Sequence, residues 1–190
     1  MNDTRNIFLI LLLATLTGCF WAAPTRKQNP AETERHIQKL MEAGTMALRQ
    51  GTWESFERAQ MAFELARDLA PNDARVLDGL GCVEWRRGHL GLATDFFNRA
   101  IALSPSYDRP YVHLALTEEQ QGSKQRAQEL LKTALKLNPM NFRARNNLAA
   151  MMLEAGYPHQ SIKELLQAYN AGAQKDVVVL YNLNQAAESE

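Results

Sequence analysis

The chain has 190 residues, 46% of them hydrophobic, and its 21 Lys and Arg balance its 21 Asp and Glu. That apolar fraction with zero net charge excludes a disordered chain, and the balance argues against nucleic acid as main partner, because phosphate binding needs excess Lys and Arg on one face. Two cysteines are too few for a disulfide framework or a four-cysteine zinc site, and the length suits one domain or a short repeat array.

Residues 1–18 read as an export signal rather than as part of a fold. Arg5 gives a weakly positive start against Asp3, and residues 7–17 then form an apolar run of 11 residues without charge. A spanning helix needs about 20 apolar residues and a signal-peptide core only roughly 7–15, so the run indicates export. It ends in Leu16, Thr17, Gly18 and Cys19, a sequence that resembles the bacterial lipobox, at which signal peptidase cuts and leaves a diacylated cysteine as the new N-terminus. The resemblance implies that Cys19 is a lipid anchor, and that multiple acyl chains hold the protein stably on a membrane. Phe20 stands where an Asp tends to retain such lipoproteins in the inner membrane, so the implied location is the bacterial outer membrane, facing the periplasm. Residues 19–30 carry Pro24 and Pro30 without an apolar period and read as a tether.

From residue 31 onward the chain repeats itself. Lines begun at Ala74, Asp108 and Phe142 share their features every 34 residues: Leu80, Leu114 and Leu148; Gly88, Gly122 and Gly156; Ala93, Ala127 and Ser161; Ala100, Ala134 and Ala168. Pro71, Pro105 and Pro139 close successive lines. Small residues such as Gly81, Ala93 and Ala100 let two helices approach closely, while Leu77, Leu80 and Phe97 fill the space between pairs. The glycines end first helices in a left-handed cap, the prolines stop second helices, and Asp73, Asp108 and Asn141 stand where N-caps are wanted. This pattern resembles the tetratricopeptide repeat. The expected fold is all-α: a right-handed α-solenoid of about four tetratricopeptide helix pairs (31–73, 74–107, 108–141, 142–175) plus a capping helix and tail at 176–190.

Departures from the pattern carry their own expectations. In the first pair, Leu40, Ala43 and Gly44 and then Ala59, Phe63 and Ala66 fit the repeat, but an insertion of three residues around 52–56 has to lengthen the loop or the second helix. The last pair has Ala171, Gly172 and Ala173 in place of its proline, one residue out of register. The segment 176–189 is expected to be a lone first helix, apolar at Val177, Leu180, Tyr181 and Leu183, covering the end of the array.

No catalytic constellation is visible. His36, His89, His113 and His159 are scattered, none belongs to an HExxH pair, and there is no GxSxG elbow. Gly79 and Gly81 fall inside a first helix at packing positions, not in a nucleotide loop, and Cys82 reads as a small buried hydrophobe. Neither an enzyme, a cofactor nor a metal is expected. The tetratricopeptide resemblance implies a groove lined by first helices, with partner-facing positions at Arg75, Asp78, Cys82, Trp85 and Arg86, at Arg109, Val112, Leu116, Glu119 and Gln120, and at Arg143, Asn146, Ala150, Leu153 and Glu154. Trp85 is the large aromatic there and a candidate anchor. Arg75, Arg109 and Arg143 form a column at one repeat position, where the helix dipole disfavours a cation. One reading is a ladder that takes carboxylates from a partner; the other, taken first, is that each Arg reaches an acidic neighbour or the carbonyl end of the preceding helix. The expected role is a non-enzymatic adaptor that binds another envelope protein or peptide. The order of lipobox, tether and repeats resembles the pilotin lipoproteins of type IV pilus secretins. The alternative is a non-catalytic structural or regulatory subunit of an envelope enzyme complex, for example with cell-wall hydrolases.

Overall fold

The computed structural model describes residues 29–189. The expected leader, Cys19 and the tether up to residue 28 lie outside the described residues, and the last two tether positions prove to belong to the first helix, which Asn29 caps and Pro30 opens. The described chain is a right-handed all-α solenoid. Its helices are α1 (Pro30–Gln50), α2 (Trp53–Leu69), α3 (Ala74–Arg86), α4 (Leu90–Leu103), α5 (Arg109–Gln120), α6 (Lys124–Leu137), α7 (Phe142–Glu154), α8 (Pro158–Ala168) and α9 (Val177–Glu188). They pair as α1 with α2, α3 with α4, α5 with α6 and α7 with α8, each pair packs on the next, and α9 packs on α8 and α7. Among the described residues, no helix is long and apolar enough to cross a membrane.

The turns inside the pairs follow one rule. Gly88, Gly122 and Gly156 have φ of 81°, 86° and 81°, and the residue after each donates its N–H back to the last turn: His89 to the Glu84 carbonyl (2.9 Å), Ser123 to Glu118 (2.8 Å) and Tyr157 to Met152 (2.9 Å). A left-handed residue is what allows that closing bond, and glycine adopts the conformation without a Cβ penalty.

Between pairs the expected caps hold at two of three places. Asp73 accepts from the Arg75 N–H (2.8 Å) and Asn141 from the Ala144 N–H (3.0 Å). Asp108 does not cap α5. Its backbone is helical instead of extended, and its carboxylate accepts instead from the side-chain amides of Asn138 (2.8 Å) and Asn141 (2.7 Å), joining one inter-pair turn to the next. Two of the three closing prolines find side chains for their carbonyls six residues on: the Tyr111 hydroxyl donates to Pro105 (3.0 Å) and the Arg145 guanidinium to Pro139 (3.0 Å).

Packing turns on one wedge per junction. The fully buried Phe63 ring stands between α1 and α3, so close that a Cβ on Gly44 or on Gly79 would lie 2.6 Å from it. Phe97, also fully buried, takes the equivalent place one repeat later, 2.5 Å from a Cβ built on Gly81. Leu131 and Leu165 continue the row.

The irregular parts resolve simply. The insertion lengthens the second helix: α2 has 17 residues against 14 in α4 and α6, opened by Thr52 and Ser55 in a reciprocal capping box. The extra residue of the last pair is absorbed in a π-turn, Tyr169–Ala173, where Gly172 has φ 116°. Ala43 is exposed rather than packed, because α1 is the first described helix and its packing partners, α2 and α3, cover other faces of it. Tyr157, in the turn that opens α8, is exposed as well. On α9 the buried residues are Val179 and Ala186, Leu183 is half-buried, and Val177, Leu180 and Tyr181 are exposed; the helix packs through the i, i+4, i+7 stripe of Val179, Leu183 and Ala186 against Ala149, Leu165 and Ala168 instead of the expected face.

Candidate functional site

The first helices α1, α3, α5 and α7 line a cleft of about 330 Å³. Each of the last three presents a residue from its first turn, so the 34-residue period brings Arg75, Arg109 and Arg143 to the same cleft, with Trp85, Leu116 and Arg86 along its wall. A second hollow of about 400 Å³ shares Arg86, His113, Leu116 and Arg143 with the first and runs on to Asn146 and to Val178 of α9. A wider hollow of about 780 Å³ between the turns at 70–75 and 103–107 is lined mainly by turn residues such as Pro71, Asn72 and Ser104. The arginine cleft, where titratable and aromatic groups converge, is the candidate site.

The three arginines are differently held. Arg75 is tied down: it reaches Asp73 at 2.6 Å and Glu34 at 2.8 Å. Burial works against the Asp73 charge, but the hydrogen bonds and charge of Arg75 outweigh it and hold the carboxyl below its ordinary range. Arg109 lies 3.8 Å from the Asp78 carboxylate and stays half exposed. Arg143 is exposed and stacks at 5.7 Å over the neighbouring Phe142 ring, with no acidic partner among the described residues. Arg145, two residues beyond the column, reaches the Pro139 carbonyl in the turn after α6 at 3.0 Å and pairs with Glu164 at 2.8 Å.

The other candidate positions divide by depth. Asp78, Val112 and Asn146 share one repeat position and all are buried, Asp78 beneath the arginine cleft and Val112 and Asn146 beneath the second hollow. Asn146 accepts from the Asn182 amide of α9 (2.9 Å). Leu116 and Trp85 are half-buried; the indole N–H of Trp85 is buried without a hydrogen-bond partner, and Arg86 lies 5.5 Å over its ring.

Under Arg109 sits a polar cluster that spacing along the sequence did not bring together. Asp78 and Cys82 are one helical turn apart on α3, and His113 comes from α5. The His113 Nδ1 lies 2.6 Å from an Asp78 oxygen and 3.4 Å from the Cys82 sulfur, and its ring packs at 5.5 Å from Phe97. Burial opposes a charge on the imidazole, but the Asp78 carboxylate outweighs burial and pushes its pKa up to about 10, so His113 is a cation at neutral pH. Tyr107 donates to the other Asp78 oxygen (3.4 Å); burial first, and that carboxylate second, raise its phenol and keep it neutral. Cys82 is therefore a half-buried thiol beside a cleft, not a plain core residue. The available signal was the repeat register, which puts His113 where the preceding repeat has Gly79.

Comparisons with known proteins agree with this architecture. The tetratricopeptide repeat family model matches residues 113–176. No curated protein sequence matches the chain. Among solved structures, a thermophilic tetratricopeptide protein of Thermus thermophilus is similar with a TM-score of 0.67 at 20% identity, over 80% of this chain and 82% of that one. Pseudomonas aeruginosa pilF is similar with a TM-score of 0.65 at 18% identity, over 83% of this chain and 76% of that one. An O-GlcNAc transferase of Thermobaculum terrenum is similar with a TM-score of 0.61 at 24% identity over 73% of this chain, which spans only 26% of the transferase. The tetratricopeptide match covers residues 113–176, and the described chain as a whole has the fold of a tetratricopeptide solenoid, stacked helix pairs that form an extended concave surface.

Proposed function

We propose that this protein is a non-enzymatic adaptor, held by lipid on Cys19 at the periplasmic side of a bacterial outer membrane, whose cleft takes an extended, carboxylate-bearing segment of another envelope protein. The observation that carries the reading is the convergence of Arg75, Arg109 and Arg143 on one cleft beside Trp85. A planar guanidinium binds a carboxylate through two parallel hydrogen bonds, and a half-buried aromatic supplies an anchor. Arg143, which makes no ion pair among the described residues, is the cation most ready for a ligand. The whole chain is neutral, yet residues 74–176 hold 13 basic and 10 acidic residues, so a local acidic ligand meets no net repulsion. A role in pilus or secretin assembly is the specific form of this proposal, supported by the lipobox, the tether and the array in that order.

Fluorescence anisotropy with labelled extended peptides tests the cleft. Acidic peptides are expected to bind and neutral ones of equal length to bind at least about tenfold more weakly, with the preference lost in Arg109→Ala/Arg143→Ala, since a charge-assisted hydrogen bond contributes about 1.5–3 kcal/mol. Equal binding of acidic and neutral peptides would remove the carboxylate reading. Palmitate labelling of cells tests the anchor: label is expected on the wild type and absent from Cys19→Ala, and an unlabelled wild type would sink the membrane assignment.

A further inference from the structure

We propose that Asp78, Cys82 and His113 form a three-ligand site for a divalent ion of the zinc class at the floor of the arginine cleft. A carboxylate oxygen, the thiol sulfur and an imidazole nitrogen of these residues all lie within 4.8 Å of one another. Two of the ligands stand on one face of α3 and the third on α5, so packed helices set the geometry rather than loops.

The distances suit a tetrahedral ion. With bonds of about 2.3 Å to sulfur and about 2.0–2.1 Å to nitrogen, a tetrahedral ion separates the two ligand atoms by about 3.6 Å. The Cys82 sulfur and the His113 Nδ1 are 3.4 Å apart. The Asp78 oxygen and Nδ1 are 2.6 Å apart, the length of a hydrogen bond with the proton between them. Replacing that proton by an ion asks the pair to open by about 0.7 Å, within reach of a small rotation of either side chain.

The surroundings are those of a ligand set with outer support. One Asp78 oxygen faces His113, while the other is occupied by the Tyr107 hydroxyl at 3.4 Å and approached by Arg109 at 3.8 Å. Such partners fix a ligating carboxylate in orientation. A thiolate, a carboxylate and a neutral imidazole around a dication sum to zero, so the ion does not add net positive charge beside Arg109. One sulfur, one nitrogen and one oxygen select zinc or cobalt over magnesium or calcium, which prefer all-oxygen shells. All three residues also line the cleft, which leaves a fourth position facing open space.

The test titrates the reduced, metal-free full-length chain with Co²⁺. One equivalent is expected to give a thiolate-to-cobalt charge-transfer band in the near ultraviolet with intense tetrahedral bands in the visible, bleached by Zn²⁺. Cys19→Ser should keep the signal, Cys82→Ser should lose the near-ultraviolet band, and Asp78→Asn and His113→Gln should weaken binding about tenfold or more. No charge-transfer band at millimolar Co²⁺, or a band that survives in Cys82→Ser, overturns the site. Thermal melting decides the matter if the Asp78 or His113 variants do not fold: Zn²⁺ should raise the melting temperature of the wild type and of Cys19→Ser and leave Cys82→Ser unmoved, and an equal rise in Cys82→Ser overturns the site too.

Discussion

The junction between the first two helix pairs and the junction between the second and third use the same repeat positions for different ends. At the first, Phe63 is clasped between Gly44 and Gly79, and the wedge is apolar on both sides. At the second, Phe97 has Gly81 on one side, but the position equivalent to Gly79 is His113, whose ring leans on Phe97 at 5.5 Å and draws in Asp78 and Cys82. One residue at one register position thus turns a dry wedge into a polar niche beneath the cleft. The lesson is that a solenoid builds its scaffold and its site from the same periodic set, and that the site appears where the period is broken by chemistry rather than by length.

The contrast is broken most severely by removing the first wedge. Phe63→Ala should lower unfolding free energy by about 3–5 kcal/mol in denaturant titrations, since it combines lost burial with a cavity between two rigid glycine faces. A loss below about 1 kcal/mol would mean that α1 and α2 are only loosely joined to the rest. Gly79→Ala tests the clasp itself. Helix propensity alone favours alanine by about 1 kcal/mol, but the new Cβ meets a buried ring 2.6 Å away, and overpacking of this kind costs about 1–3 kcal/mol. A net destabilisation is expected in the same titrations, whereas an unchanged or raised stability would show that the ring can move.

The fold was legible because its determinants are periodic. Leu80, Gly88, Ala93 and Ala100 recur at fixed spacing, and each has a local reason to be where it is. The site was legible only in part. The arginine column could be counted along the chain, yet counting could not tell Arg75, tied to Asp73 and Glu34, from Arg143, which stacks on Phe142. Asp78 lies on the partner-facing position but is buried, because His113 from the next pair satisfies it, and no spacing within one repeat announces a partner 35 residues on. Asp108 failed as a cap for a similar reason, since two asparagine amides of the following turn compete for its carboxylate. Long-range polar pairing is what a one-dimensional pattern leaves out.

The polar niche should also give the second junction a pH dependence that the first lacks. His113 has a folded pKa raised to about 10 against an ordinary 6.5. Its ion pair therefore stabilises fully below about pH 6.5, and the contribution is lost as pH rises toward and through 10. The ring faces Asp78 and Cys82 of α3 and Phe97 of α4, with Tyr107 and Arg109 grouped around the same carboxylate; the phenol stays neutral and the guanidinium charged across that window. Melting in the presence of a chelator should fall between pH 7 and pH 10 in a Cys82→Ala background, and His113→Gln in that background should flatten the fall. Parallel curves for the two proteins would show that the slope comes from elsewhere.

The smallest effect separates the two ends of the arginine column. Arg75 stabilises through partners that are themselves partly exposed, Glu34 most of all, so solvent screening limits what the contact contributes. Arg75→Ala should lower stability by no more than about 1 kcal/mol. Arg143 stacks on Phe142 without an ion pair among the described residues, and Arg143→Ala should change stability by less than about 0.5 kcal/mol. If the column were a purely structural device, the two substitutions would cost the same, because the repeat places them identically. A measurable loss in Arg75→Ala beside none in Arg143→Ala would show instead that one arginine position serves the scaffold at its first end and stays available to a ligand at its last.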